Sequence, residues 1–142
     1  MNAAARERAS IVAVMAAMSL VVLDAGLINI ALPTIAAALE VSVAQVVSAV
    51  SVYQAALVVG LLPSAHMAEK IGHRKLFVLG LGLFSMASIA CGFAPSLWFL
   101  LVARVTQGLG GAAIMALGIA LLRLALGDER LGAAIGWNAL NV

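Results

Sequence analysis

The stretch LWFLLVARVTQGLGGAAIMALGIALL, residues 97–122, decides the fold of this chain. It holds one charged residue, Arg104, in a run of apolar residues and glycines. About 20 predominantly apolar residues are enough for a helix to cross the hydrocarbon core of a membrane. Three further stretches have the same character, and they cover residues 11–32, 43–65 and 76–93. The sequence therefore predicts four membrane-spanning helices.

The composition supports this prediction. Of the 142 residues, 65% are hydrophobic and 10% charged, and the mean hydropathy is +1.17. Soluble domains have about 25% charged residues, so this chain has too little polar surface to cover a soluble globule. Segments that alternate polar and apolar residues, as a transmembrane barrel requires, are absent from the sequence. We predict an all-α integral membrane protein whose first partner is the lipid bilayer.

Several functional classes are excluded by the same composition. A net charge of +2 is too small to indicate a nucleic-acid-binding surface. Cys91 is the single cysteine, and with His66 and His73 it makes no metal-ligand cluster, so we expect no metal and no cofactor. No nucleophile with a base and an orienting group is visible, which argues against an enzyme.

The last part of the sequence predicts an unfinished element. After the charged residues 123–130, a fifth apolar segment begins at residue 131 and reaches residue 142. This segment is too short to cross a membrane. We therefore expect four complete spans and the start of a fifth, with the remainder lying beyond residue 142.

The basic residues predict the orientation of the spans. The short connections at residues 33–42 and 94–96 contain no Lys or Arg. Seven of the eight basic residues fall instead at the other ends of the spans: Arg6, Arg8, Lys70, Arg74, Lys75, Arg123 and Arg130. Because Lys and Arg in short loops stay in the cytoplasm, we expect a cytoplasmic N-terminus and an uncleaved first span.

Two opposite charges lie inside the spans. Asp24 precedes the outer end of the first span by eight residues, about 12 Å, and Arg104 lies about 10 Å into the fourth. A charge at the centre of a span costs about 2.5 to 3.5 kcal/mol, so we expect Asp24 and Arg104 to pair at similar depth. The pair is either a static link between helices, or a site where Asp24 exchanges a proton or meets a cationic substrate in competition with Arg104.

A polar and small-residue stripe extends from Arg104 along the fourth span at helical spacing. We interpret it as the lining of a central cavity, with tight helix packing as the alternative for its glycines. Polar residues of the first two spans are further candidates, with ordinary interhelical hydrogen bonds as the alternative. The predicted lining residues are Asn29, Tyr53, Gln54, Gln107, Gly108 and Gly111.

Three segments resemble the major facilitator superfamily of transporters, in particular its drug:proton antiporter branch. LDAGLINIALP at residues 23–33 resembles L-D-x-T-I-V-N-V-A-L-P, with Gly26 in place of threonine. AHMAEKIGHRK at residues 65–75 resembles G-x-L-A-D-R-x-G-R-R-K, with Ala65 and Glu69 in place of glycine and aspartate. RVTQGLGGA at residues 104–112 is similar to R-x-x-Q-G-x-G-x-A.

The resemblance implies a fold and a mechanism. The chain would supply part of an N-terminal six-helix half, built from two inverted three-helix repeats, with the substrate site between the halves. It would lie in the inner membrane of a bacterium. Together with the remainder of the transporter, it would export small, often lipophilic compounds in exchange for protons. Asp24 would be the embedded acid and Arg104 the proton-coupling residue.

The resemblance further implies that residues 69–75, here called the 69–75 segment, form a gating loop. Its residues are Glu69, Lys70, Gly72, Arg74 and Lys75. A loop that is basic only to fix the orientation is the alternative. For the whole chain, the alternatives are a small four-helix multidrug exporter that works as an oligomer, and a truncated membrane protein that transports nothing and packs against a partner.

Overall fold

The computed structural model describes residues 3–126, and side-chain surroundings for residues 8–124. These residues form four helices: α1 (Ala3–Ala38), α2 (Val43–Ile71), α3 (His73–Gly92) and α4 (Leu97–Leu126). All four are long and apolar enough to cross a membrane, which confirms the predicted all-α membrane architecture. The predicted start of a fifth span lies outside the described residues.

The first helix is longer than its predicted span. The predicted span stops at residue 32, just before Pro33, but α1 continues through Pro33 to Ala38. Proline is tolerated inside membrane helices because neighbouring groups can satisfy the backbone carbonyl that it leaves free. The helix ends at Ala38, and Glu40, whose φ is +53°, turns the chain, while the Val41 N–H donates to the Ala36 carbonyl at 3.0 Å.

The second helix begins at a capping box. The Ser42 hydroxyl accepts from the Gln45 backbone N–H at 3.3 Å, and the Gln45 side-chain oxygen accepts from the Ser42 N–H at 3.0 Å. Two backbone donors at the start of α2 are thereby satisfied. Ser42 marks one end of the bundle, here called the Ser42 end.

The 69–75 segment is almost entirely helical, so the expected loop is wrong in its local structure. Glu69 and Lys70 belong to the last turn of α2, and Arg74 and Lys75 belong to the first turn of α3. Gly72 alone separates the helices, and its φ of +96° is a conformation that side chains rarely adopt. We call this side of the bundle the Gly72 end.

Helix α4 lies at the centre of the described bundle. In its most apolar window 56% of the residues are buried, against 28% in each of the other spans. Glycines allow this burial: a Cβ on Gly108 would lie 2.5 Å from the Tyr53 carbonyl oxygen, and one on Gly110 2.7 Å from the Phe84 nitrogen. Backbones of α2 and α3 therefore approach α4 as closely as small residues permit.

Candidate functional site within the helix bundle

The site is built around one carboxylate. An Nη1 hydrogen of Arg104 is donated to Oδ2 of Asp24 at 2.7 Å, and the side chains are 8% and 17% exposed respectively. The residues come from α4 and α1, which run in opposite directions and bring the two charges to one level. The structure therefore brings together the two charges that lie within the predicted spans. Pairing offsets part of the cost of placing each charge in a membrane.

Gln107 provides the second contact to the carboxylate. Its Nε2 donates to Oδ1 of Asp24 at 2.9 Å, and the residue is fully buried. It follows Arg104 by three positions, so both side chains leave the same face of α4. The two Asp24 oxygens thus accept from two different donors, one charged and one neutral.

A third helix joins the network through Cys91. The Cys91 thiol on α3 donates to Oε1 of Gln107 at 3.6 Å. This contact is weak, because a thiol is a poor donor. It nevertheless favours the amide orientation in which Nε2 faces Asp24, since the oxygen of Gln107 is already directed at a donor. Cys91 was not among the predicted site residues, because a lone cysteine carries no sequence pattern that indicates a site.

Tyr53 on α2 completes the surroundings of the guanidinium. The centroid of its ring lies 5.6 Å from Cζ of Arg104, which is a distance for a cation–π contact. The ring is 2% exposed. Two buried polar atoms of this pair, the Tyr53 hydroxyl and Nε of Arg104, have no hydrogen-bond partner among the described residues.

A groove opens beside Tyr53 toward the Gly72 end. It has a volume of about 470 Å³ and is walled by α1, α2 and α4. Gln54 is the second polar residue on its wall, and the remaining lining residues are apolar: Val21, Val22, Ala25, Leu57, Val58, Leu61, Met115, Ala116 and Ile119. Tyr53 therefore belongs both to this groove and to the charged network.

The other predicted lining residues have different positions. Asn29 is exposed and donates to the carbonyl of Ala25 in its own helix at 3.2 Å. Gly108 lies at the contact with the α2 backbone, as the packing alternative predicted, and not on the groove wall. Gly111 is buried beneath the groove, where a Cβ would meet Tyr53, Val21 and Leu57 atoms at 3.5 Å, an ordinary contact.

The 69–75 segment lies at the Gly72 end of the bundle, where α2 ends and α3 begins, and the charged pair lies within the spans. Glu69 is within 3.7 Å of Nδ1 of His66, and both side chains are largely exposed. Such an exposed pair contributes about 0 to 1 kcal/mol. Arg74 borders a second groove of about 440 Å³ between α1, α3 and α4. Among the side chains of residues 8–124, no salt bridge joins Lys70, Arg74 or Lys75 to an acid.

A comparison with protein families decides the assignment, because the model described as Major Facilitator Superfamily matches residues 14–140. The chain belongs to the major facilitator superfamily. Together with the four apolar helices, this makes it an integral multi-pass membrane protein of a transporter family. Membership in this family also sets aside the alternative of a small four-helix multidrug exporter.

Relatives of this major facilitator chain are longer. It is 38% identical over 133 residues to the uncharacterized transporter YebQ of Escherichia coli, a match of 94% of the chain and 29% of YebQ. It is 37% identical over 123 residues to the multidrug resistance protein Stp of Mycobacterium tuberculosis, covering 85% and 23%. With the tetracenomycin C resistance and export protein of Streptomyces glaucescens, the identity is 33% over 132 residues, covering 92% and 24%.

The chain thus spans less than a third of the length of these relatives. No solved structure matches the chain.

Proposed function

We propose that the chain is the N-terminal part of a proton-coupled exporter of small, largely apolar compounds. The observation that carries this proposal is the part-buried carboxylate of Asp24, held by Arg104 at 2.7 Å and Gln107 at 2.9 Å between apolar helices. A static link would not need a titratable partner, because a buried ion pair is often no more stabilising than an apolar replacement. A transport cycle in which the charge of the site changes does need a titratable residue such as Asp24.

The proposed coupling is a competition for one carboxylate. While Asp24 is ionised, Arg104 and Gln107 hold α1 against α4. When a proton binds Asp24, the carboxyl loses its charge and its attraction for the guanidinium falls, so α1 and α4 are free to move apart. Proton binding therefore biases a two-state element, which is the requirement for coupling a proton to a conformational change.

The relatives support export as the direction and drug-like compounds as the cargo. Stp is named for multidrug resistance, and the Streptomyces relative for resistance to and export of tetracenomycin C. A third, from Mycobacterium tuberculosis, is named drug efflux pump JefA and is 32% identical over 139 residues. The mainly apolar groove beside Tyr53 suits such compounds.

The basic residues support an orientation and a gate. We propose that the N-terminus and the Gly72 end face the cytoplasm, because Lys70, Arg74 and Lys75 gather there, and that the membrane is the inner membrane of a bacterium. The gate is the 69–75 segment. Its charged side chains, which have no salt bridge among the described helices apart from the weak contact of Glu69, are available to bind the remainder of the transporter in one conformation and release it in another.

The test is transport by the full-length gene product in proteoliposomes, with tetracenomycin C, the compound in the name of the Streptomyces relative, as the probe. We expect an imposed pH gradient to drive accumulation of this compound by the wild-type protein. Asp24→Asn should abolish the gradient-driven accumulation, while the compound still exchanges down its own gradient. The matched control is Glu40→Gln, which removes an exposed acid in the turn between α1 and α2.

Two results would contradict the proposal. Full gradient-driven accumulation by Asp24→Asn would exclude this residue from coupling. Movement of tetracenomycin C by the wild-type protein that is independent of the pH gradient would exclude proton coupling itself.

A further inference from the structure

Tyr53 presents a problem that the charged pair does not solve. Its side chain is 2% exposed, yet its hydroxyl has no hydrogen-bond partner among the described residues. Leaving a buried polar group unpaired is unfavourable, because the group loses its hydrogen bonds to water and gains none in return. Phenylalanine would supply the same ring to Arg104 without that cost, so the ring contact does not explain the hydroxyl.

The position of the Tyr53 hydroxyl relates it to the groove between α1, α2 and α4. The oxygen lies 3.5 Å from the position of a Cβ on Gly111, and side-chain atoms of Val21 and Leu57 lie at the same distance from that position. Val21, Tyr53 and Leu57 all line the groove between α1, α2 and α4. The hydroxyl and the groove-lining side chains of Val21 and Leu57 therefore border one common point beside Gly111, and Leu57 is half-buried.

We propose that Tyr53 is a specificity-determining residue, and that the groove binds uncharged, largely apolar compounds carrying a hydrogen-bond acceptor such as a carbonyl oxygen. The inference rests on the proposed function, because it names the class of compound that the exporter takes. The phenolic O–H donates to the acceptor of the ligand, which satisfies the unpaired hydroxyl. The apolar walls bury the rest of the ligand.

The charges nearby favour an uncharged ligand. Arg104 is already paired with Asp24, and none of the described residues that line the groove is Asp, Glu, Lys, Arg or His. A charged ligand would be removed from water there without a counter-charge, which is costly. One hydrogen bond to a neutral acceptor carries no such penalty.

Tyr53 also connects the groove with the coupling site. The ring that would bind the ligand through its hydroxyl contacts the Arg104 guanidinium with its face. A ligand that shifts the ring changes the surroundings of the group that holds Asp24. Occupancy of the groove and the strength of the charged pair are thereby linked through one side chain.

The experiment compares fluorenone with fluorene, two compounds of nearly equal shape of which fluorenone alone has a carbonyl oxygen. Binding to the full-length protein in nanodiscs is measured by equilibrium dialysis without a pH gradient, and empty nanodiscs correct for partition into lipid. A net hydrogen bond is worth about 0.5 to 1.5 kcal/mol, so the wild-type protein should bind fluorenone roughly 2- to 10-fold more tightly. Tyr53→Phe should bring this ratio to about one and leave fluorene binding unchanged.

A second variant guards against a folding defect in Tyr53→Phe. Gly111→Ala places a methyl group 3.5 Å from the hydroxyl, which the packing accommodates but which obstructs an incoming acceptor. It should lower the preference for fluorenone as well. The control is Gly82→Ala, because a Cβ there meets no atom within 4 Å and lies away from the groove.

Four results would overturn the inference. The first three are an equal affinity of the wild-type protein for both compounds, an absence of binding to either, and a preference for fluorenone that survives in Tyr53→Phe. A parallel loss of both affinities with lower stability would show that the hydroxyl bonds to protein instead, and would also overturn it. Failure of proton coupling would leave this binding ratio unaffected, so the two proposals fail separately.

Discussion

Gly108→Ala separates the two interpretations of the glycines in α4. A Cβ at this position would lie 2.5 Å from the Tyr53 carbonyl oxygen and 2.9 Å from the Ala56 Cβ. Backbone cannot rotate out of the way as a side chain can, so α2 and α4 must separate. Overpacking of this kind costs about 1 to 3 kcal/mol, and the higher helix propensity of alanine offsets up to about 1 kcal/mol of it.

A clash with backbone at 2.5 Å belongs to the upper part of that range, about 2 to 3 kcal/mol, so with the propensity offset of about 1 kcal/mol we expect Gly108→Ala to lower the free energy of unfolding by about 1 to 2 kcal/mol. Gly111→Ala is the matched comparison. Its Cβ would meet other atoms at 3.5 Å, an ordinary contact distance, so this substitution should not lower the free energy of unfolding. Both are measured by denaturant titration of the full-length protein in detergent, with tryptophan fluorescence as the signal.

Gly108→Ala should also weaken the binding of fluorenone, since the displaced backbone belongs to Tyr53. Equal stability of the two variants would refute the packing account. A loss of transport by Gly108→Ala at unchanged stability would favour a cavity wall at Gly108 instead.

Three smaller predictions concern single contacts, each checked by the same unfolding measurement. Gly72→Ala should lower the free energy of unfolding by about 1 kcal/mol, because alanine disfavours the φ of +96° at this position, whereas the control Gly82→Ala should not lower it. Equal effects of the two substitutions would contradict a conformational role for Gly72. Gln107→Leu should cost about 1.5 to 3 kcal/mol, because it removes a hydrogen bond to the ionised Asp24; no loss would show that the contact is not formed. Cys91→Ala should change stability by less than about 1 kcal/mol, since a thiol is a weak donor; a larger loss would mean that Cys91 positions the network more strongly than its 3.6 Å contact indicates.

The pairing of charges was predictable because depth in a membrane helix follows from counting. Asp24 and Arg104 lie at similar distances from the same side, and the cost of an isolated charge leaves pairing as the favourable arrangement. Gln107 follows from the same helix geometry, three residues after Arg104. Both predictions follow from the rise per residue and the number of residues per turn of an α-helix.

The contacts of Tyr53 and Cys91 could not be predicted in this way. They depend on how α2 and α3 are rotated about their axes relative to α4, and apolar residues on all sides of a membrane helix give no signal for that rotation. The structure sets it through the glycine contacts, such as Gly108 against the α2 backbone.

Helix ends were the other failure. Pro33 and the charged residues 69–75 carry the signals that end helices in soluble proteins, but a membrane helix can continue beyond the hydrocarbon core and through a proline. The single break at Gly72 depends on one backbone angle, which a glycine permits but does not require.

The most direct test of the account is a double-mutant cycle on the charged pair in the full-length protein, with Asp24→Asn, Arg104→Met and both together. Each single variant should lose about 3 kcal/mol of unfolding free energy, because it leaves a buried charge without its partner. The double variant should lose less than the sum by at least about 1 kcal/mol. Losses that add to within about 0.5 kcal/mol would mean that Asp24 and Arg104 do not interact in the folded protein, and the proposed coupling could not operate.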